Sequence, residues 1–179
     1  MRKNLSNYPS RQQGAVLVVS LLMLLIMTVL GIAAMQMTRF EERMAGNSRD
    51  INVAFQSAEA GLRDGEERLQ NMTGPPAICV TAPCVVYQSD VLASNLRDQT
   101  LAWWTTNGRE FGAAGTQEVS DSARDPMIVI EEMTTVSDSL VFPPPEGSGS
   151  RTFFKVTVSA AGANAQTEAV LETTYARPF

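Results

Sequence analysis

Few residues in this 179-residue chain have the types and spacing that catalysis needs. The sequence contains no His, the usual general base, and its two cysteines are too few for a structural zinc site. Acidic pairs at positions 41–42, 66–67 and 131–132 are interpreted as solvated faces, because neighbouring side chains diverge on a helix or strand. The chain also lacks a Gly-rich phosphate loop and a calcium-binding loop. The sequence therefore predicts no catalytic residue, no metal site and no cofactor.

The composition indicates a folded, acidic protein. The chain has 14 Lys and Arg against 19 Asp and Glu, a formal net charge of −5, and 44% of its residues are apolar. Nucleic acid is not an expected partner, because proteins bind it largely by neutralising phosphates with basic residues. The length fits one modest domain with appended segments.

The most informative contrast lies at the N-terminus. Residues 1–14 are polar and carry three basic residues and no acid, whereas residues 15–35 form an uncharged, mostly apolar run. As a helix this run would be ~31 Å long, at 1.5 Å per residue. That length matches the ~30 Å hydrocarbon core of a bilayer, so the run is expected to span a membrane.

Three interpretations fit this start. A secretory signal peptide has a shorter apolar core, ~7–15 residues, although Gly31-Ile32-Ala33 has the small-x-small pattern of its cleavage site. A plain single-pass anchor fits the length but leaves the sharp polar-to-apolar boundary at Gly14 unexplained. The third interpretation is a segment that resembles a prepilin leader, which is cut directly after a Gly on the cytoplasmic side of the apolar run. Residues 1–14 would then be the leader, and Ala15 would become the new N-terminus.

Apolar residues continue beyond the run at helical spacing, which predicts one long helix over residues 15–70. Residues 15–35 are apolar all round and require lipid or other subunits, whereas residues 36–70 are amphipathic and require a domain to pack against. A membrane anchor that continues by chance into a domain's first helix would give the same pattern. Helix-weakening glycines allow a kink or a melted turn near Gly46-Asn47. The amphipathic stripe comprises Met37, Phe40, Met44, Ile51, Phe55, Ala58, Leu62 and Leu69.

Two stretches of the sequence resemble PilX-type minor pilins of type IV pilus systems. The first reads QQGAVLVVSLLMLLIMTVLGIAAM and then RMAGNSRDINVAFQSAEAGLRDGE, with a Met-Ala-Gly-Asn turn and an AFQSAEAGL segment. The second, near the C-terminus, reads FFKVTVSAAGANAQTEAVLETTY, and the middle of the chain adds little to the resemblance. The resemblance implies cleavage between Gly14 and Ala15 by prepilin peptidase and N-methylation of Ala15.

The same resemblance implies a noncatalytic assembly role. The expected protein is a minor pilin of the inner membrane with a periplasmic head, which later enters the pilus filament on the cell surface. Its implied partners are other minor pilins, the major pilin and a large tip adhesin, in pilus priming, twitching motility and adhesion. A type II secretion pseudopilin would share the leader and the helix, and a single-pass periplasmic binding protein would keep Met1. Both remain alternatives.

One position departs from the general pilin pattern. Most pilins have a Glu five residues into the mature chain, which is thought to pair with the N-terminal amine of a neighbouring subunit, but here that position is Val19. A subunit without this Glu cannot neutralise the amine of a subunit beyond it towards the tip. Val19 therefore marks a position at or near the tip, or it reflects drift in a low-copy subunit.

Cys79 and Cys84 lie in the turn-rich segment that follows the helix. In an oxidising periplasm they are expected to form a disulfide, which would close a small loop and stabilise the fold by roughly 2 kcal/mol. Two free thiols are the alternative.

The sequence of residues 95–106 predicts a short helix, with Ser94 as its N-cap and Gly108 just past its end. Trp103 and Trp104 would point about 100° apart on this helix, so they cannot both face one core. An exposed Trp would be a candidate subunit contact. The alternative is a pair divided between a core and a half-buried groove.

Three strands are predicted, over residues 126–133, 151–160 and 167–175, and the last two flank a hairpin turn near Gly162-Asn164. Phe154, Val156 and Val158 would share one face of the second strand. Residues 143–150 are rich in Pro, Gly and Ser and are expected to form an exposed loop. The predicted fold is α+β and pilin-like: a long N-terminal helix whose amphipathic half packs on a small antiparallel sheet within a head of residues 71–179.

Overall fold

The protein is described by a computed structural model over residues 13–92, 95–112, 117–143, 145 and 149–179. It contains two compact units, Met1–Gly46 and Asn47–Phe179. The helix α1, Gln13–Asn71, contributes residues to both. Its ends lie within two residues of the predicted bounds, and Gly46 and Asn47 are part of the helix rather than a melted turn.

The head, Asn47–Phe179, contains a six-stranded sheet beside the C-terminal part of α1. Three strands are long, namely β4 (Met127–Ser137), β5 (Ser150–Ala161) and β6 (Glu168–Pro178). Three are two residues long, namely β1 (Ile78–Cys79), β2 (Val86–Tyr87) and β3 (Arg109–Glu110). The order is β1-β2-β4-β5-β6, with β3 also paired to β4.

The long strands confirm the predicted antiparallel core of the sheet, whereas the short strands were missed. β5 pairs antiparallel with both β4 and β6. β1 pairs parallel with β2, and β2 pairs parallel with β4 through Tyr87 and Glu131, so the sheet is mixed rather than wholly antiparallel. A two-residue strand is too short to show an alternating apolar pattern, so these three strands could not be predicted from periodicity.

The core between α1 and the sheet depends on small residues of the helix. Ala54, Ala58, Gly61 and Gly65 are all buried, and the predicted sheet face of Phe154, Val156 and Val158 is fully buried opposite the helix. A Cβ atom at Gly61 would lie 2.7 Å from Val158 Cγ1 and 2.9 Å from Pro126 Cβ, and one at Gly65 would lie 2.7 Å from Val156 Cγ1. The absence of side chains at these positions therefore sets how closely the helix approaches the sheet.

The predicted amphipathic stripe is only partly correct. Ala58 and Leu69 are buried and Leu62 packs against the core, as expected. Ile51 and Phe55, however, keep 51% and 45% of their surfaces exposed, because the buried line of the helix passes through the neighbouring small residues. Met37, Phe40 and Met44, in the N-terminal unit, are also exposed.

The other face of the sheet is covered by α2, Leu101–Asn107. The helix predicted over residues 95–106 is instead divided into a 3-10 turn, Leu96–Asp98, and α2. Gln99 and Thr100 are extended between them, and the Thr100 hydroxyl accepts a hydrogen bond from the Trp103 amide at 3.3 Å, so Thr100 is the N-cap. The predicted cap, Ser94, lies outside the described residues.

The β4–β5 connection contains the predicted loop of residues 143–150. Its residues 144 and 146–148 lie outside the described part of the chain, and Ser150 already belongs to β5. At its base, Arg151 Nε lies 2.9 Å from Asp138 Oδ1, and the Asp138 amide donates to the Gly149 carbonyl at 2.8 Å. The preceding residues Leu140 and Phe142 are fully or almost fully exposed.

Candidate functional site: the apolar helix and the surfaces of the head

The N-terminal part of α1 is an apolar surface without a partner in the described structure. Every large apolar side chain between Val16 and Met35 keeps 43–69% of its surface exposed. The helix Gly14–Asn71 contains an 18-residue segment of mean hydropathy 2.9, none of it buried, and is long and apolar enough to cross a membrane. It fits a single-pass membrane anchor, because a helix that is apolar all round must be surrounded by lipid or by other apolar helices.

The hydroxyl groups within this segment are satisfied by the helix itself. Ser20 Oγ donates to the Leu17 carbonyl at 2.9 Å, and Thr28 Oγ1 donates to the Leu25 carbonyl at 2.8 Å. Neither hydroxyl needs a partner from outside, so both are compatible with lipid or with packed helices.

Gly14, Ala15 and Val19 all lie in the first turns of α1 and are exposed. Val19 has the exposed apolar side chain of its neighbours, and the first acidic residue of α1 is Glu41. The structure thus contains no carboxylate in this part of the helix. Cleavage after Gly14 and methylation of Ala15 stay predictions.

The structure brings Cys79 and Cys84 together, with their Cα atoms 6.1 Å apart and their sulfur atoms at bonding distance. This Cα separation is within the usual range for disulfides. Cys79 ends β1, Cys84 precedes β2, and the Gln88 amide donates to the Cys79 carbonyl at 3.0 Å. The pair therefore lies at the base of the β1–β2 connection.

The two tryptophans have different environments. Trp104 is fully buried with Tyr87, Leu96 and Val129, whereas Trp103 is half-buried and packs against the edge of that cluster. Their rings meet edge to face, with centroids 5.3 Å apart. Of the two candidate contact residues, Trp104 is therefore a core residue and Trp103 alone has surface to offer a partner.

Tyr87 fixes the end of α2 against this second core. Its hydroxyl donates a hydrogen bond to the Asn107 carbonyl at 2.8 Å, and burial raises the pKa of the Tyr87 phenol.

Asp50 is a structural residue that the sequence interpretation missed. Its carboxylate accepts hydrogen bonds from the Thr167 hydroxyl and, at 2.9 Å, from the Asn164 amide, both in the β5–β6 turn. These contacts lower the pKa of Asp50, the Thr167 hydroxyl most of all. The sequence indicated no role for Asp50, and only its position beside the amphipathic stripe could have suggested one.

Glu131 corrects the interpretation of the acidic pairs. Its side chain is buried, and its Oε2 atom lies 2.6 Å from Lys155 Nζ on the neighbouring strand, whereas Glu132 is half-buried. Glu131 is therefore part of a buried ion pair rather than of a solvated face, because Lys155 is its directly opposite residue in the sheet. Within the described ranges, no group of three or more His, Cys, Asp or Glu residues is arranged to hold a metal ion.

Two family models together match almost the whole of the described chain. The PilX N-terminal model matches residues 13–63, and the model for the C-terminal part of the type IV pilus assembly protein PilX matches residues 47–177. Searches of curated proteins and of solved structures gave no match. The matched regions coincide with the apolar helix and with the α+β head, which confirms the resemblance drawn from the two ends of the sequence. The chain belongs to the PilX family of type IV pilus assembly proteins.

Proposed function

We propose that this protein is a noncatalytic minor pilin that primes or promotes pilus assembly, with its head in the periplasm and its apolar helix in the inner membrane until it enters the filament. The observation that carries the proposal is the exposed apolar surface between Val16 and Met35. This surface is covered by lipid before assembly and by the helices of other pilins afterwards. Assembly would then exchange lipid contacts for helix packing, with the work of extraction supplied by a separate ATPase.

Prepilin peptidase would prepare the protein for this step by cutting between Gly14 and Ala15, and Ala15 would then be N-methylated. The disulfide between Cys79 and Cys84 would form once the head reaches the oxidising periplasm. The partners in this proposal are other minor pilins, the major pilin and a large tip adhesin, with consequences for twitching motility and adhesion. Val19 supports a position at or near the filament tip.

Intact-mass and N-terminal analysis of the protein from membranes, with and without prepilin peptidase, tests the class. We expect a chain that starts at N-methylated Ala15 only when the peptidase is present. A chain that keeps Met1 whether or not the peptidase is present would indicate a single-pass anchor. A chain that starts after Ala33 would indicate a secreted protein. Normal processing with no protein in purified pili would point to a secretion pseudopilus.

A further inference from the structure

The free edge of β6 is long and regular. β6 pairs with β5 from Glu168 to Pro178 without a shift of register, and it has no second neighbour among the described strands. Alternate backbone N–H and C=O groups along this edge therefore lack a strand partner. Proteins often protect such edges by shortening the edge strand or by inserting a bulge. β6 has neither feature, because the register shift near Met133 belongs to the pairing of β4 with β5.

β6 is hydrogen-bonded to α1 near both of its ends. Asp50 holds Thr167 at the start of β6, and the Arg177 guanidinium near its end donates to the Leu69 and Met72 carbonyls.

A line of apolar residues follows one side of α1 in the head. Ile51, Phe55 and Leu62 follow one another at spacings of four and seven residues, so they form a line along the helix. Val53 and Gln56 lie on another side of the helix, where they line a groove with the segment Glu118–Asp121. Ile51 and Phe55 do not line that groove, and they keep 51% and 45% of their surfaces exposed.

The apolar surface continues on β6 itself. Ala169, Leu171 and Tyr175 point towards the helix side of the sheet and pack against its core, but each remains half-buried. The core between α1 and the sheet is therefore incompletely covered at β6, the last strand of the sheet. One more strand beside β6, with apolar residues on the helix side, would cover this part of the core.

The opposite face of β6 carries negative charge. Glu168 is paired with Arg124, whose Nη2 atom lies 2.8 Å from its carboxylate, whereas Glu172 is exposed and has no ion-pair partner among the described residues. A basic residue on an added strand, directly opposite Glu172, would therefore favour pairing of that strand with β6.

From these features we propose that the β6 edge binds an extended segment of another polypeptide as an added strand. The segment would place apolar side chains beside Ile51, Phe55 and Leu171, and basic side chains beside Glu172. A second copy of this chain fits less well. If the β6 strands of two copies paired antiparallel over their whole length, Glu172 of each copy would lie opposite Thr174 of the other. The two Glu172 carboxylates would then lie diagonally across the strand pair and repel each other. The inference does not depend on the proposed assembly role, since purified protein suffices to test it.

The test uses the full-length protein in detergent and a labelled ten-residue peptide of alternating Val and Lys, blocked at both ends. Fluorescence anisotropy measures its binding, and hydrogen exchange locates it. We expect the peptide to bind and to protect β6 amides, and a version with two central Val residues replaced by Pro to lose binding. Glu172→Lys should weaken binding by about tenfold or more, because it places like charges together.

The matched control is Glu67→Lys, the same charge change at an exposed position of α1. It should change the affinity by less than about twofold, given that exposed charges far from a contact are screened. Absence of binding, protection outside β6, or equal weakening by both variants would overturn the proposal. Protection of β6 that rises with protein concentration without peptide would also overturn it, in favour of a second copy.

Discussion

Asp50 of α1 accepts a hydrogen bond from the hydroxyl of Thr167, 117 positions later in the chain and immediately before β6. The same carboxylate accepts a second hydrogen bond, from the Asn164 amide, at 2.9 Å. Gly162 completes the contact, because a Cβ atom there would lie 2.6 Å from Asp50 Oδ1 and 2.7 Å from the Asp50 carbonyl oxygen. One residue of the helix thus holds the turn that sets where β6 begins.

Replacing this carboxylate should destabilise the head and change its response to acid. The pKa of Asp50 is lowered in the folded protein, so its ionised form stabilises the fold. This contribution is fully present above the unfolded-state pKa, about 3.9, and is lost as the pH falls through the lower folded-state pKa. We expect Asp50→Asn to lower the thermal midpoint at pH 7, and its difference from the parent protein to shrink below about pH 4. Equal midpoints at pH 7, measured by circular dichroism, would contradict this role.

Small additions to the buried line of α1 should be costly. Gly61→Ala and Gly65→Ala each place a methyl group 2.7 Å from a valine of β5, and overpacking of this kind costs about 1–3 kcal/mol. The higher helix propensity of Ala opposes this by up to about 1 kcal/mol, so a net loss is expected in urea unfolding. Gly46→Ala is the matched control, since nothing lies within 4 Å of its Cβ position, and it should not reduce stability. A gain in stability for all three variants would show that the helix is not held this closely.

The sequence was informative where residues repeat over many turns or strand positions. The bounds of α1, the three long strands and the buried face of Phe154, Val156 and Val158 follow from such periodicity. The predicted stripe on α1 was only partly correct because most of the residues taken as buried were large apolar ones. The structure buries Ala and Gly instead, since close approach of backbone to sheet requires small side chains.

The remaining differences depend on contacts between residues far apart in the chain. Nothing near Asp50 in sequence shows that it meets Thr167, and nothing near Glu131 shows that it faces Lys155. The break in the predicted helix at Gln99-Thr100 was missed for a local reason. The Thr100 side chain caps a new helix and so competes with continuation of the preceding turn. Residues 95–106 contain no Pro or Gly that would have indicated a break.

The tryptophan pair should separate folding from contact. Trp104→Ala removes a fully buried side chain and should cost about 3–5 kcal/mol, enough to threaten folding of the head. Trp103→Ala removes a half-buried one and should cost less, about 1 kcal/mol. If Trp103 contacts another subunit, its variant will keep the circular dichroism spectrum of the parent protein but enter pili less often. Normal incorporation of Trp103→Ala, measured by immunoblotting of sheared pili, would remove Trp103 as a contact.

Loss of the cysteine pair should weaken the head by a small, definable amount. A disulfide closing so short a loop stabilises by about 2 kcal/mol on the chain-entropy estimate. Cys79→Ser with Cys84→Ser should therefore lower the free energy of unfolding by about this much, and reduction of the parent protein should do the same. The double variant itself should not respond to reductant. Alkylation of both cysteines in protein freshly isolated without reductant would show free thiols and contradict the proposed bond.

Val19 offers the sharpest test of a position at the filament tip. A charged side chain costs about 2.5–3.5 kcal/mol at the centre of a membrane span unless something pairs with it, and less towards the ends of the span, where Val19 lies. The described part of the chain offers no basic residue near Val19 to pair with an introduced carboxylate. In the Val19→Glu variant, the new carboxylate could pair with the N-terminal amine of the pilin that lies beyond it towards the tip. We therefore expect labelled copies of the variant along the filament shaft as well as at the tip. Val18→Glu is the control, since it carries the same insertion cost but points about 100° away on the helix. Labelling confined to the tip in both variants would mean that the missing Glu does not determine where this subunit sits in the filament.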